Sequence, residues 1–298
     1  MKGISVIIPT LNRREYLAST VKCLLRQEFN LPYEILIVDQ SKQLDNEMIE
    51  LSRDYGIINY CHTTSFRGLP EARNFGVQHS LYDFILFLDD DIECGDQLLN
   101  EHYKYLIQPN IAIVAGGITE KYKENSKSKT VGKFHFYSAS PERGFHIAFN
   151  GYVDHGGGGN YSIKKEVFIK VGGVDEYLNY GAALYEETEI CLRVKRAGYK
   201  IYFNYSAHVW HLAADTGGCR VFDIEKYIKA LVHNRALLIS RHLKWYHRPT
   251  ANLYLLRLVT SYAIAYRNPK LFLQFLKSYR IGYKKGKLIP KFTIYDKR

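Results

Sequence analysis

The stretch FILFLDDDIECGD, residues 84–96, places five apolar residues directly before three consecutive aspartates, Asp89, Asp90 and Asp91. An unbroken apolar run of this length is typical of a strand that is buried on both faces, as in a parallel sheet. Adjacent carboxylates raise one another's proton affinity unless a positive charge lies beside them. The stretch therefore predicts a buried strand that ends at a site for a cation.

The residues on either side repeat an alternation of strand and helix. Three more apolar runs are predicted to be strands, and they are GISVIIP at 3–9, YEILIVDQS at 33–41 and IAIVAGG at 111–117. Helical patterns lie between the strands, at 13–27, 45–54 and 69–80. This rhythm predicts an α/β fold, a Rossmann-like and mostly parallel sheet flanked by helices on both faces.

Acidic side chains stand at the ends of two predicted strands. Asp39 ends the second strand, and Asp89, Asp90 and Asp91 follow the strand at 84–88. Ligands of an open parallel sheet bind outside the carboxyl ends of its strands, so these carboxylates are expected to share one site. Their hard oxygen atoms suit Mg²⁺ or Mn²⁺, and a diphosphate is the natural further partner of such an ion. Helix capping is the alternative, but it accounts for one aspartate and not for three.

Five motifs occur in the order in which family 2 glycosyltransferases carry them, and the chain resembles that family from residue 3 to about 220. The motifs are SVIIPTLNR at 5–13, ILIVDQS at 35–41, GLPEARNFGV at 68–77, FLDDD at 87–91 and EETEICLRVKRAGYKI at 186–201. The resemblance implies a GT-A fold and inverting transfer of a sugar from a UDP- or dTDP-sugar to an acceptor hydroxyl. The implied acceptor is a saccharide or lipid-linked saccharide of bacterial-type cell-surface polysaccharide or glycolipid synthesis.

The same resemblance implies which residues bind the donor. Pro9, Thr10 and Asn12 would close the first strand onto the nucleotide, and Asp39 would accept a hydrogen bond from the imide N–H of the pyrimidine. Arg73 would face the nucleotide from the helix after the third strand, and the alternative for this residue is an arginine on a helix surface.

The implied metal site is the D-x-D motif of the family. Asp91 would contact Mn²⁺ or Mg²⁺, and Asp89 would contact the ribose, the ion or a water on the ion. Asp90 belongs to the donor-binding set, although an extended loop would point it elsewhere. His211 matches a family histidine that approaches the metal or the diphosphate. His208 lies three residues earlier on the same predicted strand, and alternation would place it on the opposite face.

The second acidic cluster is Glu186 and Glu187, at the start of a helical pattern that runs to Ala197. The resemblance implies that this pair is catalytic and that Glu187 is the general base that removes the proton of the acceptor hydroxyl. The family usually has aspartate at the second position. The alternative is that the helix dipole alone favours acidic residues in the first turn.

Charge divides the chain near residue 220. Residues 1–220 hold 24 Lys and Arg and 27 Asp and Glu, whereas residues 221–298 hold 17 basic and three acidic residues, a net charge of +14. We expect a GT-A catalytic domain at 1–220, with a nucleotide-sugar half at about 1–118 and an acceptor half at about 119–220. The basic helical region that follows also carries Tyr, Trp and Leu, which suits an anionic membrane surface. The alternative is a solvated helical face packed on the catalytic domain.

Other sequence features bear on location. No stretch has the roughly 18 uninterrupted apolar residues of a membrane-spanning helix, and the N-terminus lacks the pattern of a secretory signal. The five cysteines are odd in number and never form Cys-x-x-Cys, which is typical of reduced thiols in a cytosolic protein. We expect a cytoplasmic protein that is peripheral on the cytoplasmic face of the membrane. The lysine-rich segment 119–133 is predicted to be a mobile loop and a candidate lid.

Two other functions stay open at this point. A Mg²⁺-dependent phosphohydrolase also uses strand-end aspartates, but its nucleophilic Asp normally follows an early strand, where this chain has Pro9 and Thr10. A nucleic-acid-binding protein would use the basic region, but it would leave both acidic clusters without a role, so we expect no nucleic-acid partner. HGGGGN at 155–160 lacks the Lys-Ser/Thr of a phosphate-binding loop, and it predicts instead that the backbone comes close to a sugar ring.

Overall fold

A computed structural model of the chain describes residues 1–214, 221 and 223–295. The strands are β1 (Ile4–Thr10), β2 (Tyr33–Asp39), β3 (Ile58–His62), β4 (Phe84–Leu88), β5 (Ile92–Cys94), β6 (Ile111–Glu120), β7 (Lys133–His135), β8 (Ser140–Glu142), β9 (Asn150–Tyr152), β10 (Asn160–Lys164) and β11 (Lys200–His211). The helices are α1 (Arg14–Leu24), α2 (Asn46–Asp54), α3 (Leu69–His79), α4 (Leu98–Leu106), α5 (Lys165–Lys170), α6 (Glu186–Arg196), α7 (Ile224–His242), α8 (Arg248–Ala265) and α9 (Lys270–Lys285). Short 3₁₀ turns lie at Glu176–Leu178 and Trp245–His247.

A central sheet organises the described residues, with the order β3-β2-β1-β4-β10-β6-β11-β5 and with β9 paired to β11. Strands β1 to β4 are parallel, as the apolar runs predict, because both faces of each strand are covered. The predicted α/β class with a mostly parallel sheet and C-terminal helices is confirmed. Strand β10 was not predicted, and it runs antiparallel to both β4 and β6.

Successive side chains of the central strands enter two separate cores. Ile7 of β1 packs with residues of α3, α5 and α6 on one face, whereas Val6 and Ile8 pack with residues of α1, α2 and α4 on the other. The alternation is the period of a strand, so a two-sided layer of helices follows directly from an apolar strand with no polar face. The sheet is thereby fixed, and its strand ends are held at one edge.

The C-terminal helices form a third core. Residues of α7, α8 and α9 pack together there, with Leu192 of α6 and Phe134 of β7 among them. The side chain of Glu189 joins α6 to α7, because it accepts from Arg193 on its own helix and from Arg241 and His242 on α7. Among the described residues, no helix is long and apolar enough to cross a membrane.

One predicted boundary differs in detail from the structure. The loop predicted at 119–133 is shorter, because β6 continues to Glu120 and β7 begins at Lys133. The predicted division at residue 220 lies outside the described residues, so the two-domain division stays a prediction.

Candidate active site

A cleft opens at the carboxyl ends of the parallel strands, where the sequence places its acidic residues. Its larger compartment, of about 650 Å³, is lined by Pro9 and Thr10 from the end of β1. A smaller compartment, of about 290 Å³, is lined by Glu186 and Glu187 from the start of α6. Asp89, with four other residues, lines both compartments, so the two predicted acidic clusters meet in one continuous cleft.

Three side chains form a candidate metal centre at the junction of the compartments. One ligand atom each of Asp89, Asp91 and His211 lies within 4.8 Å of the others. Strand β5 pairs with β11 so that Ile92 lies opposite His211, which brings the histidine beside the aspartate motif. His208 is not in this group, because it faces Thr119 and shares a 2.8 Å hydrogen bond with its hydroxyl. Strand alternation predicts this difference.

The charges around Asp91 favour its ionised form. Asp91 lies 3.2 Å from Nε2 of His211 through Oδ1, and its Oδ2 accepts from the N–H of Ala214 at 2.8 Å. Burial acts to raise the pKa of Asp91, but His211 and Arg13 outweigh burial and lower it. Burial likewise acts to lower the pKa of His211, but Asp91 and Asp89 raise it to about 9. The pKa of Asp89 is raised by burial and by the charge of Asp91.

The donor set fits a hard divalent cation. Oδ1 of Asp91 is buried and accepts no hydrogen bond, and it lies 3.2 Å from Nε2 of His211, so both atoms are placed to hold one ion. A second carboxylate and an imidazole stand beside it, and the two carboxylates suit Mn²⁺ or Mg²⁺. The cluster therefore agrees with the predicted D-x-D metal site, with His211 as its third member.

Asp90 points away from this cluster, as an extended loop predicts. Its carboxylate accepts from the hydroxyl of Thr10 at 2.7 Å and from Nη1 of Arg13 at 2.8 Å. Burial raises the pKa of Asp90 to about 6, although Arg13 opposes the shift. These contacts fasten the end of β1 to the aspartate motif. The predicted contact of Asp90 with the donor stays a prediction.

Arg73 is not a surface arginine, because its side chain is fully buried between α3 and the sheet. Its guanidinium lies over the rings of Phe87 and Tyr161, at 5.4 and 5.5 Å, and donates to the carbonyl of Gly158 at 2.6 Å. It also forms an ion pair with Glu186. The structure thus brings Arg73 to the acidic pair at α6, and its predicted contact with the nucleotide stays a prediction.

Glu186 and Glu187 are adjacent in sequence but differ in surroundings. Glu186 is buried and held by Arg73, whereas Glu187 has no hydrogen-bond or ion-pair partner among the described residues. Glu187 is 8% exposed and lines the smaller compartment. Both residues lie in the first turn of α6, where the helix dipole favours a carboxylate. Of the two, Glu187 is the carboxylate that has no partner in the protein and that a molecule bound in the cleft can contact.

Asp39 and Asn12 are not among the described residues that line the two compartments, and both are occupied by local contacts. Oδ1 of Asp39 accepts from the N–H of Ser41 at 2.8 Å, and Oδ2 accepts from the hydroxyl of Tyr60 at 2.6 Å. Asn12 has a positive φ of 56°, a conformation that asparagine tolerates well, and its N–H donates to the hydroxyl of Ser41 at 2.8 Å. The predicted nucleotide contacts of both residues remain predictions.

Several site residues carry no signal in the sequence. Arg67 and Arg143 line the larger compartment, and Arg143 lies in a segment with no motif. Glu120 shares a 2.9 Å hydrogen bond with Nδ1 of His211 and so orients its ring. Gly159 comes so close to Asp89 that a Cβ would lie 2.5 Å from its Oδ2, so this glycine is needed where the backbone meets the aspartate. The glycine run therefore approaches the metal cluster itself.

The family follows from the comparison with known proteins. Residues 5–172 match the profile described as Glycosyl transferase family 2, which is more than half of the chain, so the chain belongs to this family of glycosyltransferases. Its sheet and flanking helices are of the GT-A type.

Individual relatives are distant. The chain is 29% identical over 136 residues to poly(ribitol-phosphate) beta-N-acetylglucosaminyltransferase TarP of Staphylococcus aureus, a match that spans 45% of this chain and 40% of TarP. It is 24% identical over 219 residues to glucosyl-dolichyl phosphate glucuronosyltransferase of Haloferax volcanii, or 70% of this chain and 68% of that protein. The mannosyltransferase PcManGT from Pyrobaculum calidifontis, solved with GDP-Man and Mn²⁺, superposes with a TM-score of 0.57 at 15% identity, covering 95% of this chain and 83% of that one.

Proposed function

We propose that the protein transfers a sugar from a UDP- or dTDP-sugar to an acceptor hydroxyl with inversion at the anomeric carbon. The observation that carries the proposal is a single cleft with two chemically different acidic groups. Asp89, Asp91 and His211 form a cation site in it, and Glu187 is an unpaired carboxylate in the adjoining compartment. Family membership supports sugar transfer over a phosphohydrolase.

The larger compartment is suited to the donor. Its lining includes the cationic side chains of Arg13, Arg67 and Arg143, which attract a diphosphate. Asp89, Asp91 and His211 would hold Mn²⁺ or Mg²⁺, and that ion would supply charge stabilisation for the departing diphosphate. The solved structure of PcManGT holds GDP-Man, so the test of the donor compares UDP-, dTDP- and GDP-sugars.

The smaller compartment is suited to the acceptor. The carboxylate of Glu187 takes the proton of the attacking hydroxyl while the new C–O bond forms at the anomeric carbon. The bond between that carbon and the phosphate oxygen breaks, and its electron pair leaves with the nucleoside diphosphate. A single displacement of this kind inverts the anomeric carbon. Glu186 acts by holding Arg73 and the first turn of α6 in place, so that Glu187 points into the cleft.

The acceptor we propose is a saccharide or a lipid-linked saccharide of a cell-surface polymer or glycolipid. Two relatives support this class, since one is named for poly(ribitol-phosphate) and the other for glucosyl-dolichyl phosphate. We further propose that the protein works peripherally on the cytoplasmic face of a membrane, with an anionic lipid surface as the partner of residues 221–298.

A panel of nucleotide sugars tests the proposal. Purified protein is mixed with UDP-, dTDP- and GDP-sugars in the presence of Mn²⁺, Mg²⁺ or a chelator, and unfolding is followed by thermal shift. A UDP- or dTDP-sugar at about 100 times its Kd is expected to add about 2.7 kcal/mol to the free energy of unfolding, and only when metal is present. Proton NMR of the products then reports whether the anomeric configuration inverts. Stabilisation by none of the donors, or equal stabilisation in chelator, would contradict the proposal.

A further inference from the structure

The C-terminal helices carry a large excess of positive charge. Between Lys226 and Tyr295 the sequence has 15 Lys and Arg and neither Asp nor Glu. Two of these residues have internal roles, since Arg235 donates to the carbonyl of Ala139 and Arg241 pairs with Asp175 and Glu189. Ten others are exposed and form no ion pair with any acidic residue that the structure describes, and they are Lys226, Lys244, Arg257, Arg267, Lys270, Lys277, Arg280, Lys284, Lys287 and Lys291.

Helix α8 buries an apolar stripe and also exposes apolar side chains on its outer face. Its buried stripe recurs at every fourth residue, at Ala251, Leu255, Val259 and Ala263. At 100° per residue the opposite face carries Leu253 and Ile264, which are 67% and 72% exposed, together with the exposed Arg257. A helix of a water-soluble surface normally places polar residues on its outer face. The outer face of α8 therefore exposes apolar side chains beside a basic one.

Helix α9 packs beside α8 and continues this surface. Its outer face begins with Leu273 and Leu276, which are 75% and 58% exposed, and continues with Lys277, Arg280 and Lys284. Exposed leucines and basic residues thus share one side of the same helix. The outer faces of α8 and α9 together are named the basic apolar face.

Aromatic side chains connect this face to the cleft. Trp245 is 79% exposed in the turn before α8, and Tyr254 of α8 contacts the ring of Tyr137 at 5.5 Å between centroids. Tyr137 lies in the loop between β7 and β8, and β8 ends directly before Arg143, which lines both compartments of the cleft. Trp and Tyr are the residues that concentrate at the boundary between lipid and water.

We propose that the basic apolar face docks on an anionic lipid bilayer. Exposed leucines and isoleucine enter the boundary between head groups and acyl chains, while the basic residues beside them contact acidic head groups. Charge decides against a second copy of the chain as the occupant, because a symmetric dimer would bring two strongly positive faces together. The inference rests on the membrane partner in the proposed function and not on the chemistry of the cleft.

Co-sedimentation with vesicles tests the inference on the full chain. The vesicles are phosphatidylcholine alone, or phosphatidylcholine with about 30% phosphatidylglycerol, at low salt. The parent protein is expected to sediment with the anionic vesicles and to be released by high salt. A basic residue near such a surface contributes about fivefold to partition, so the triple charge reversal Lys277→Glu, Arg280→Glu and Lys284→Glu should lower anionic partition by about 100-fold or more.

Matched variants separate the contributions. Lys2→Glu, Lys104→Glu and Lys170→Glu make the same change of net charge at exposed positions of the catalytic part, and this triple variant should bind like the parent. Leu253→Ser with Leu273→Ser should weaken binding while leaving the charge unchanged. Equal partition to both kinds of vesicle, or equal loss in both charge-reversed triples, would overturn the inference. So would light scattering that shows a dimer which Leu253→Ser with Leu273→Ser dissociates. Sedimentation needs no catalysis, so failure here leaves sugar transfer untouched.

Discussion

Single residues of the aspartate motif differ in what they do, although they are identical in type. Asp91 faces His211, and Oδ1 of Asp91 accepts no hydrogen bond. The carboxylate of Asp90, in contrast, accepts hydrogen bonds from Thr10 and Arg13. The sequence groups Asp89 and Asp91 by their place at a strand end, and it adds His211 only through the resemblance to the family. It could not pair Arg73 with Glu186, because two residues so far apart in sequence share no periodicity. That pair depends on how α3 and α6 pack against the sheet.

The first prediction concerns metal affinity. Asp91→Asn should lower the affinity for Mn²⁺ by more than about 100-fold, because even residues that only orient a ligand are worth 10 to 100-fold. Asp90→Asn is the matched control at the neighbouring position, and it should leave Mn²⁺ affinity close to that of the parent. Isothermal titration calorimetry measures both. If the two variants lose Mn²⁺ equally, the assignment of Asp91 over Asp90 is wrong.

The second prediction concerns the buried ion pair. Glu186→Gln should lower the free energy of unfolding by about 3 to 5 kcal/mol, because it leaves the buried charge of Arg73 without a partner. Adding Arg73→Met removes that charge and should restore much of the loss. Urea denaturation of the single and double variants provides the numbers. A loss below about 1 kcal/mol in the single variant would show that the pair is not structural.

Elements of the fold vary in how well the sequence predicts them. Strands β1, β2, β4 and β6 are long apolar runs, and local pattern alone identifies them. Strand β10 is short, follows a glycine run and pairs antiparallel with β4 and β6, so its place depends on contacts between distant segments. His102 of α4 stabilises that place, since its two ring nitrogens bond to Ser162 and Asn160 of β10. Hydrogen bonds of this kind, between distant elements, produce no periodic pattern in the sequence.

The third prediction is a pH dependence that arises from His102. Burial lowers the pKa of this histidine to about 4, so the folded protein keeps the ring neutral while the unfolded chain takes up a proton near pH 6.5. Between these two values the unfolded state binds more protons, and stability falls as pH falls. The parent should lose about 3 kcal/mol more than His102→Gln between pH 7 and pH 4. Urea denaturation across this range measures the difference, and parallel curves would refute it.

The whole molecule joins a nearly neutral catalytic part to a strongly basic helical part. The last described segment returns from α9 to the catalytic part, where the ring of Phe292 packs on Phe168. Tyr295 exchanges two hydrogen bonds with Gln78 of α3, from N–H to side chain and from side chain to carbonyl. The basic helices are therefore held at both ends, and charge composition alone does not reveal this return.

The fourth prediction belongs to this return of the chain. Phe292→Ala should lower the free energy of unfolding by about 2 kcal/mol, less than a fully buried phenylalanine costs because this ring is half-buried. Ile294→Ala is the control, since Ile294 lies in the same segment and is 78% exposed. Chemical denaturation compares the two variants. An equal and negligible effect would mean that the segment contributes nothing to stability.

The most direct test of the account is the kcat for sugar transfer of the Glu187→Gln variant. The Glu186→Gln variant, which makes the same change at the neighbouring residue, is the control. Glu187 is the unpaired member of the glutamate pair at the start of α6, so its loss should lower kcat by 10² to 10⁴, about 2.7 to 5.4 kcal/mol, with the Kd of the donor and Mn²⁺ unchanged. Glu186→Gln should lower mainly the free energy of unfolding, and it should lower kcat less than Glu187→Gln does. A near-normal kcat for Glu187→Gln in the folded enzyme, with kcat lost in Glu186→Gln, would contradict the account.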